Sequence, residues 1–196
     1  MEETEVKKKQ KAEYRSAKRS KKLIREAFLS LLKEKPESKI TVTDIVNLAD
    51  INRATFYAHY PDVRGVVEEI ENDVIDKMMT VLGEFRYFSF FKNPAPLLLK
   101  ISRFLEADVS LYKQLINTDS SDAFISKLKK IFTDYMKNDP DIPEYIREKK
   151  SFSIRVSYFT GGIVNAYKQW LIGELDCSLN DISMEIALMI TETDLS

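Results

Sequence analysis

The chain has 196 residues, with 30 basic and 31 acidic side chains, one histidine and one cysteine, for a formal net charge of −1. A single cysteine excludes an intramolecular disulfide scaffold, and together with a single histidine it excludes Cys/His zinc sites, so no metal and no cofactor is expected. Five glycines and six prolines leave little material for hairpins, while 44% hydrophobic residues can build a core, and the expected fold class is all-α.

The charge is unevenly placed. Residues 1–22 hold nine basic against four acidic side chains, including Lys7, Lys8, Lys9 and Lys11. The first 60 residues keep that excess of +5, and the remaining 136 carry −6. Such asymmetry points to an anionic partner at the basic end. Residues 1–16 read as a basic N-terminal arm. The first 22 residues lack the apolar region of a signal peptide, and no stretch approaches the roughly 18 apolar residues that cross a bilayer. A cytoplasmic protein with no membrane partner is the expectation.

Leu23, Ile24, Ala27, Phe28, Leu31 and Leu32 share one helical face, and Pro36 with Glu37-Ser38-Lys39 ends that helix. Thr41-Val42-Thr43-Asp44 has the form of a capping box, in which a threonine and an acidic residue three places on satisfy each other's backbone amides. Val42, Ile45, Val46 and Ala49 continue as a two-turn helix. Asp50-Ile51 is a break. Asn52 can cap a second short helix through Tyr57, and after Pro61 a longer helix starts near Val63, capped by Asp62. Two short helices joined by a tight turn form a helix-turn-helix unit, whose second helix can enter the major groove of DNA.

The segment TVTDIVNLADINRATFYAHYPDVRGVVEEI, preceded by LIREAFLSLLKEKP, resembles the DNA-binding domain of the TetR family of transcriptional regulators. The resemblance covers roughly Arg15 to Asp76, and rests on the train Thr41-Val42, Asp44-Ile45, Ala49, Thr55-Phe56-Tyr57 and His59-Tyr60-Pro61. It implies that Thr41 caps the first helix of the motif and can bond a phosphate. It also implies that Asn52, Arg53, Ala54 and Thr55 form the front of the recognition helix. Arg53 is the candidate reader of guanine O6 and N7, the commonest specific contact. Tyr57 and His59 match positions that face the DNA backbone, and Phe56 and Tyr60 match core positions. Two residues depart from the family pattern. Asp50 stands where the family usually has a turn glycine, and aspartate tolerates positive φ better than most residues. Val63 stands where the family usually has a lysine, and Arg64 is the candidate replacement for its phosphate contact.

Beyond Thr80 the pattern stays helical. Phe85, Tyr87, Phe88, Phe90 and Phe91 crowd together ahead of Asn93-Pro94-Ala95-Pro96. Helices are expected at 97–105, 109–116, 123–136, from about 142 to 172, and at 182–190, with Asn138-Asp139-Pro140-Asp141 as a turn. The resemblance then implies a DNA-binding domain over 17–77, with its motif at 41–60. A C-terminal regulatory and dimerisation domain follows over 78–196, and the chain has about nine helices in all. It further implies a homodimer on double-stranded operator DNA, and a small-molecule effector of unidentified chemistry acting through the C-terminal domain. Phe88, Phe104, Phe124 and Tyr158 are the candidate pocket aromatics. Gly161, Gly162 and Trp170 are the candidate dimerisation residues, because glycines inside a helix suit close approach to a neighbour.

The function expected is a sequence-specific, ligand-responsive repressor. An activator of the same family is the alternative, and an architectural protein that binds DNA without sequence choice is a further one. No glycine-rich phosphate loop, Ser/His/Asp arrangement or metal spacing speaks for an enzyme. The carboxylates Glu68, Glu69, Glu71 and Asp73 read as a solvated helix face.

Overall fold

The computed structural model of the protein describes residues 2–83 and 85–193, with side chains from 14 to 83 and from 85 to 192. Among these residues there are eleven α-helices, one short 3-10 turn and no strand. The chain divides into two compact units, residues 1–72 and 73–196.

In the first unit α1 runs Glu2–Leu31, and a 3-10 turn follows at Glu37–Lys39. Helix is thus continuous through the segment expected to be an arm. The side chains of Lys7, Lys8, Lys9 and Lys11 lie outside the described residues. Helix α2 spans Val42–Leu48, α3 Arg53–Tyr57 and α4 Val63–Leu82. Helix α1 packs on α2 and α3. Ile24 and Phe28 of α1, Ile45 of α2, Phe56 of α3 and Val66, Val67 and Ile70 of α4 are fully buried. Burying a Leu-, Ile- or Phe-sized side chain contributes about 1.5–3 kcal/mol each, so seven such residues are enough to hold two very short helices in place.

In the second unit α5 is Tyr87–Lys92, α6 Ala95–Glu106, α7 Val109–Ile116 and α8 Ser121–Lys137. Helix α9 is Glu144–Arg147, α10 Lys150–Ile172 and α11 Leu179–Thr193. Helix α10 is the hub, packing on α7, α8 and α11, while α11 also covers α6. A buried hydroxyl cluster ties three of these helices together. Ser102 of α6 lies 3.2 Å from Tyr167 of α10 and 2.6 Å from Ser183 of α11. Tyr167 donates to the Leu98 carbonyl at 3.1 Å, and burial pushes its phenol above the ordinary tyrosine range. None of the described helices is long and apolar enough to cross a membrane.

Eleven helices replace the nine expected, for two reasons. The stretch expected as one helix from about residue 142 is broken at Lys149, whose ψ of 130° is extended. Arg147 to Lys150 are all exposed, so no apolar stripe carries the helix across them. Helix α5 was not expected at all. Its aromatics fall at helical spacing, with Tyr87, Phe90 and Phe91 buried and Phe88 outside. Its N-terminus has no cap from the adjacent sequence. Instead the buried carboxylate of Asp139, in the turn after α8, accepts a hydrogen bond from the Tyr87 amide through Oδ2. Oδ1 of the same carboxylate accepts from the Asp141 amide at 2.9 Å. Tyr87 then stacks obliquely on Phe91 and Phe152, with ring centroids 4.6 and 5.3 Å away.

Candidate nucleic-acid interface

Helix α2 begins with a complete capping box. The Asp44 amide donates to Thr41 Oγ1 at 3.2 Å, and the Thr41 amide donates to Asp44 Oδ2 at 2.8 Å. The Thr41 hydroxyl proton also goes to Asp44 Oδ2, at 2.7 Å. Lys35 adds an ion pair with that carboxylate at 2.7 Å. Led by the Lys35 contact and followed by the Thr41 hydroxyl and amide, these bonds hold the Asp44 carboxyl down at about 2. The Thr41 hydroxyl is therefore committed to the cap, and giving its proton to a phosphate requires it to turn away from Asp44.

The turn between α2 and α3 is a Schellman motif built on Asp50. Asp50 has φ of 51°, its amide donates to the Asn47 carbonyl at 3.4 Å, and the Ile51 amide donates to the Val46 carbonyl at 3.1 Å. The left-handed residue after a helix is usually glycine, and aspartate is among the few others that adopt this conformation readily. The chain direction needed to present α3 is thus kept without the glycine.

Helix α3 is capped by Asn52, whose Oδ1 accepts from the Thr55 amide at 2.7 Å and from the Thr55 hydroxyl at 2.9 Å. Phe56 is fully buried and pins the helix, while Asn52, Arg53 and Ala54 are exposed. Thr55 is half-buried, with its hydroxyl proton spent on Asn52. Tyr57 is 54% exposed, its ring set edge-on to Phe56 at 5.6 Å. Arg53 donates from Nη2 to Thr43 Oγ1 on α2. An exposed guanidinium, an exposed methyl on Ala54, a capping amide and a phenol therefore share one short element. The guanidinium can bond guanine, the methyl can touch a thymine methyl and the phenol can bond a phosphate, while Asn52, whose Oδ1 is filled by Thr55, offers its Nδ2 donors.

Two of the expected contacts are engaged inside the protein. His59 is half-buried, and its Nε2 lies 2.7 Å from Ser20 Oγ on α1. It ties the end of α3 to α1, and Nδ1 makes no hydrogen bond to the described residues. Arg64 donates to Glu68 at 3.2 Å and to Glu71 at 3.3 Å, and its Nη1 lies 3.9 Å from Glu37. It thus sits among three carboxylates, and a phosphate contact from it would compete with them. The carboxylates read as a solvated face are also corrected. Glu71 is only 4% exposed. Glu69 accepts from Tyr60 at 3.0 Å and pairs with Lys21 at 2.5 Å and Arg25 at 3.6 Å, clamping α4 to α1. The sequence reading missed Thr43, because the capping pattern accounts for its neighbours and leaves it without a role.

In the second unit the four candidate pocket aromatics do not converge. Phe124 is buried core, and Phe104 is half-buried against Tyr112 at 5.1 Å. Phe88 is exposed, and Tyr158 is 73% exposed on α10. Two clefts of about 300 and 370 Å³ share Phe85 and Arg86 instead. A third cleft of about 400 Å³ runs between α10 and α11, lined by Tyr158, Gly162, Ile186 and Met189 among others. At both Gly161 and Gly162 no atom beyond the chain neighbours and the local helix backbone lies within 4 Å of where a Cβ would stand. The glycines leave an open face, not a close packing within the chain. Trp170 is half-buried and donates to the Cys177 carbonyl at 2.8 Å, closing the α10–α11 connection. Among the described residues no cluster of His, Cys, Asp and Glu could hold a metal.

Comparison with curated protein sequences finds no match. Among solved structures, the dihydroxyacetone kinase operon activator DhaS is similar with a TM-score of 0.58 at 18% identity, over 89% of this chain and 95% of that one. A TetR-family transcriptional regulator from Syntrophomonas wolfei str. Goettingen is similar with a TM-score of 0.66 at 12% identity, over 91% of this chain and 96% of that one. At such identities the likeness concerns the fold alone. The family model for the TetR-type transcriptional regulator C-terminal region matches residues 92–192, just over half of the chain. With the eleven-helix fold and the helix-turn-helix at 41–60 in place, the match leaves one conclusion: the chain belongs to the TetR family of transcriptional regulators.

Proposed function

We propose that the protein is a repressor that acts as a homodimer on a palindromic operator. The observation that carries this reading is the front of α3, where Asn52, Arg53, Ala54 and Tyr57 are exposed on a helix pinned from behind by Phe56. Arg53 reads guanine and Ala54 meets a thymine methyl. Tyr57 faces the backbone, and so do Thr41, once its hydroxyl turns from Asp44, and His59 through Nδ1. One short helix touches only a few base pairs, so useful specificity needs two copies reading half-sites about one helical turn, or a multiple of it, apart. The exposed apolar face of α10 and α11, with Tyr158, Leu188 and Met189 outside and Gly161 and Gly162 open, supports pairing of two copies there. A small effector would enter a cleft beside Phe85 and Arg86. It would shift DNA affinity by as much as it prefers one spacing of the two reading heads.

Selection of duplexes from a random-sequence pool by the full chain tests the reading. An inverted repeat should emerge, bound about 10³-fold or more tightly than random duplex at about 150 mM salt. Equal affinity for every duplex would instead identify an architectural DNA-binding protein. An activator remains the second reading, because one structural neighbour is named as an operon activator. Transcription in vitro from a promoter carrying the selected repeat separates the two by the sign of the effect.

A further inference from the structure

Arg53 opens α3, and its Nη2 donates to Thr43 Oγ1 in the first turn of α2. Both residues are exposed, so the bond is not a by-product of core packing. We infer that Thr43 is a positioning residue for Arg53, holding its guanidinium in the orientation that reads a base. This rests on the reading of Arg53 as the base contact.

The chemistry of the two groups favours such a role. A guanidinium in water samples many rotamers, and bidentate contact with guanine requires one of them, so anchoring beforehand reduces what must be ordered on binding. Nη2 carries two N–H groups, one parallel to Nε–H and the other parallel to an N–H of Nη1. Whichever of them Thr43 takes, the other parallel pair is left complete, and such a pair is what guanine O6 and N7 accept together. The identity of the anchor matters as well. A carboxylate would accept both prongs of one edge and hold the arginine strongly. The nearest carboxylate on α2, Asp44, is already occupied by Lys35 and Thr41. A neutral hydroxyl accepts one N–H and leaves the rest of the guanidinium to the DNA. The backbone beneath Arg53 is fixed by the same economy of bonds, since Asn52 Oδ1 takes both the amide and the hydroxyl of Thr55.

The test repeats the random-pool selection with Arg53→Ala, Thr43→Val, Thr43→Ser and the Thr43→Val/Arg53→Ala pair, each first checked for unchanged helical content and melting temperature. Arg53→Ala should flatten the base preference at one symmetry-related pair of positions. Thr43→Val, nearly isosteric but without the acceptor, should weaken the preference at those same positions about fivefold. Thr43→Ser should restore it, and the double variant should lose nothing there beyond Arg53→Ala. An unchanged preference in Thr43→Val, a loss spread evenly over all positions, or a sharpened preference would each overturn the positioning role. A flattened profile in Arg53→Ala beside a silent Thr43→Val removes the positioning role alone. A silent Arg53→Ala removes the base-reading role and the positioning role with it.

Discussion

Asp50 sits in the left-handed region, with φ of 51°, at the one point where the chain must reverse between α2 and α3. A β-branched residue there pays the steric cost of that region in full, and Asp50→Val should destabilise the first unit by about 1–2 kcal/mol. Asp50→Gly should stabilise it by up to about 1 kcal/mol, since it removes the Cβ contact from a Schellman motif already formed. Urea unfolding of the two variants checks both signs. Asp44 gives a residue-scale test in pH. Its folded carboxyl is lowered to about 2 from 3.8, so its contribution to the α2 cap is complete above the unfolded value. That contribution is lost as pH falls through about 2. Lys35 is the largest cause, so Lys35→Met should move the midpoint upward, as read from the Asp44 carboxyl resonance by NMR; an unmoved midpoint would assign the shift to Thr41 alone. Side-chain roles were legible where the partner is close in sequence. The Thr41–Asp44 box, the Asn52 cap and the Asp62 cap on Gly65 each close within three residues. The intramolecular partners of His59 and Arg64, Ser20 and the three carboxylates, were not legible because tertiary packing chooses them.

At the scale of elements, boundaries followed the same rule. Helix α7 begins and ends as its sequence predicts, with Asp108 accepting from the Leu111 amide at 3.1 Å. Helix α5 escaped because its cap comes from Asp139, 52 positions along the chain. The signal that could have found it was the Tyr87, Phe90, Phe91 spacing, which is helical but too short to stand out in an aromatic-rich run. Asp139→Ala leaves the buried Tyr87 amide and the part-buried Asp141 amide without their carboxylate acceptor, and should cost about 1–3 kcal/mol. Denaturant unfolding of the variant measures that loss. A cost below about 0.5 kcal/mol would mean that the aromatic packing of Tyr87 on Phe91 and Phe152 suffices to hold α5.

For the whole molecule, net −1 is the sum of a +5 head and a −6 remainder, so the total says little about an anionic partner and the placement says much. Amphipathic periodicity shows that α10 and α11 each have an apolar stripe; it does not say how much of the stripe the chain itself covers. The structure leaves Met189 61% exposed beside the cleft at Gly162. An exposed methionine can become a glutamate with almost no effect on a lone protomer, so Met189→Glu should change little in the monomer's melting. If two copies pair on this face, it should weaken association by about 100-fold or more, because a charge would be buried without a partner. Sedimentation equilibrium of the variant decides the matter, and wild-type association would exclude the α10–α11 face. The hydroxyl cluster of Ser102, Tyr167 and Ser183 bears on the same helices. Its three oxygens form a closed ring, with each pair between 2.6 and 3.2 Å apart. Detaching any one of α6, α10 and α11 opens the ring and takes one hydroxyl contact from each of the other two in an apolar interior. The three helices should therefore open as a single unit, and hydrogen exchange should show their amides reached by water in one shared event rather than helix by helix.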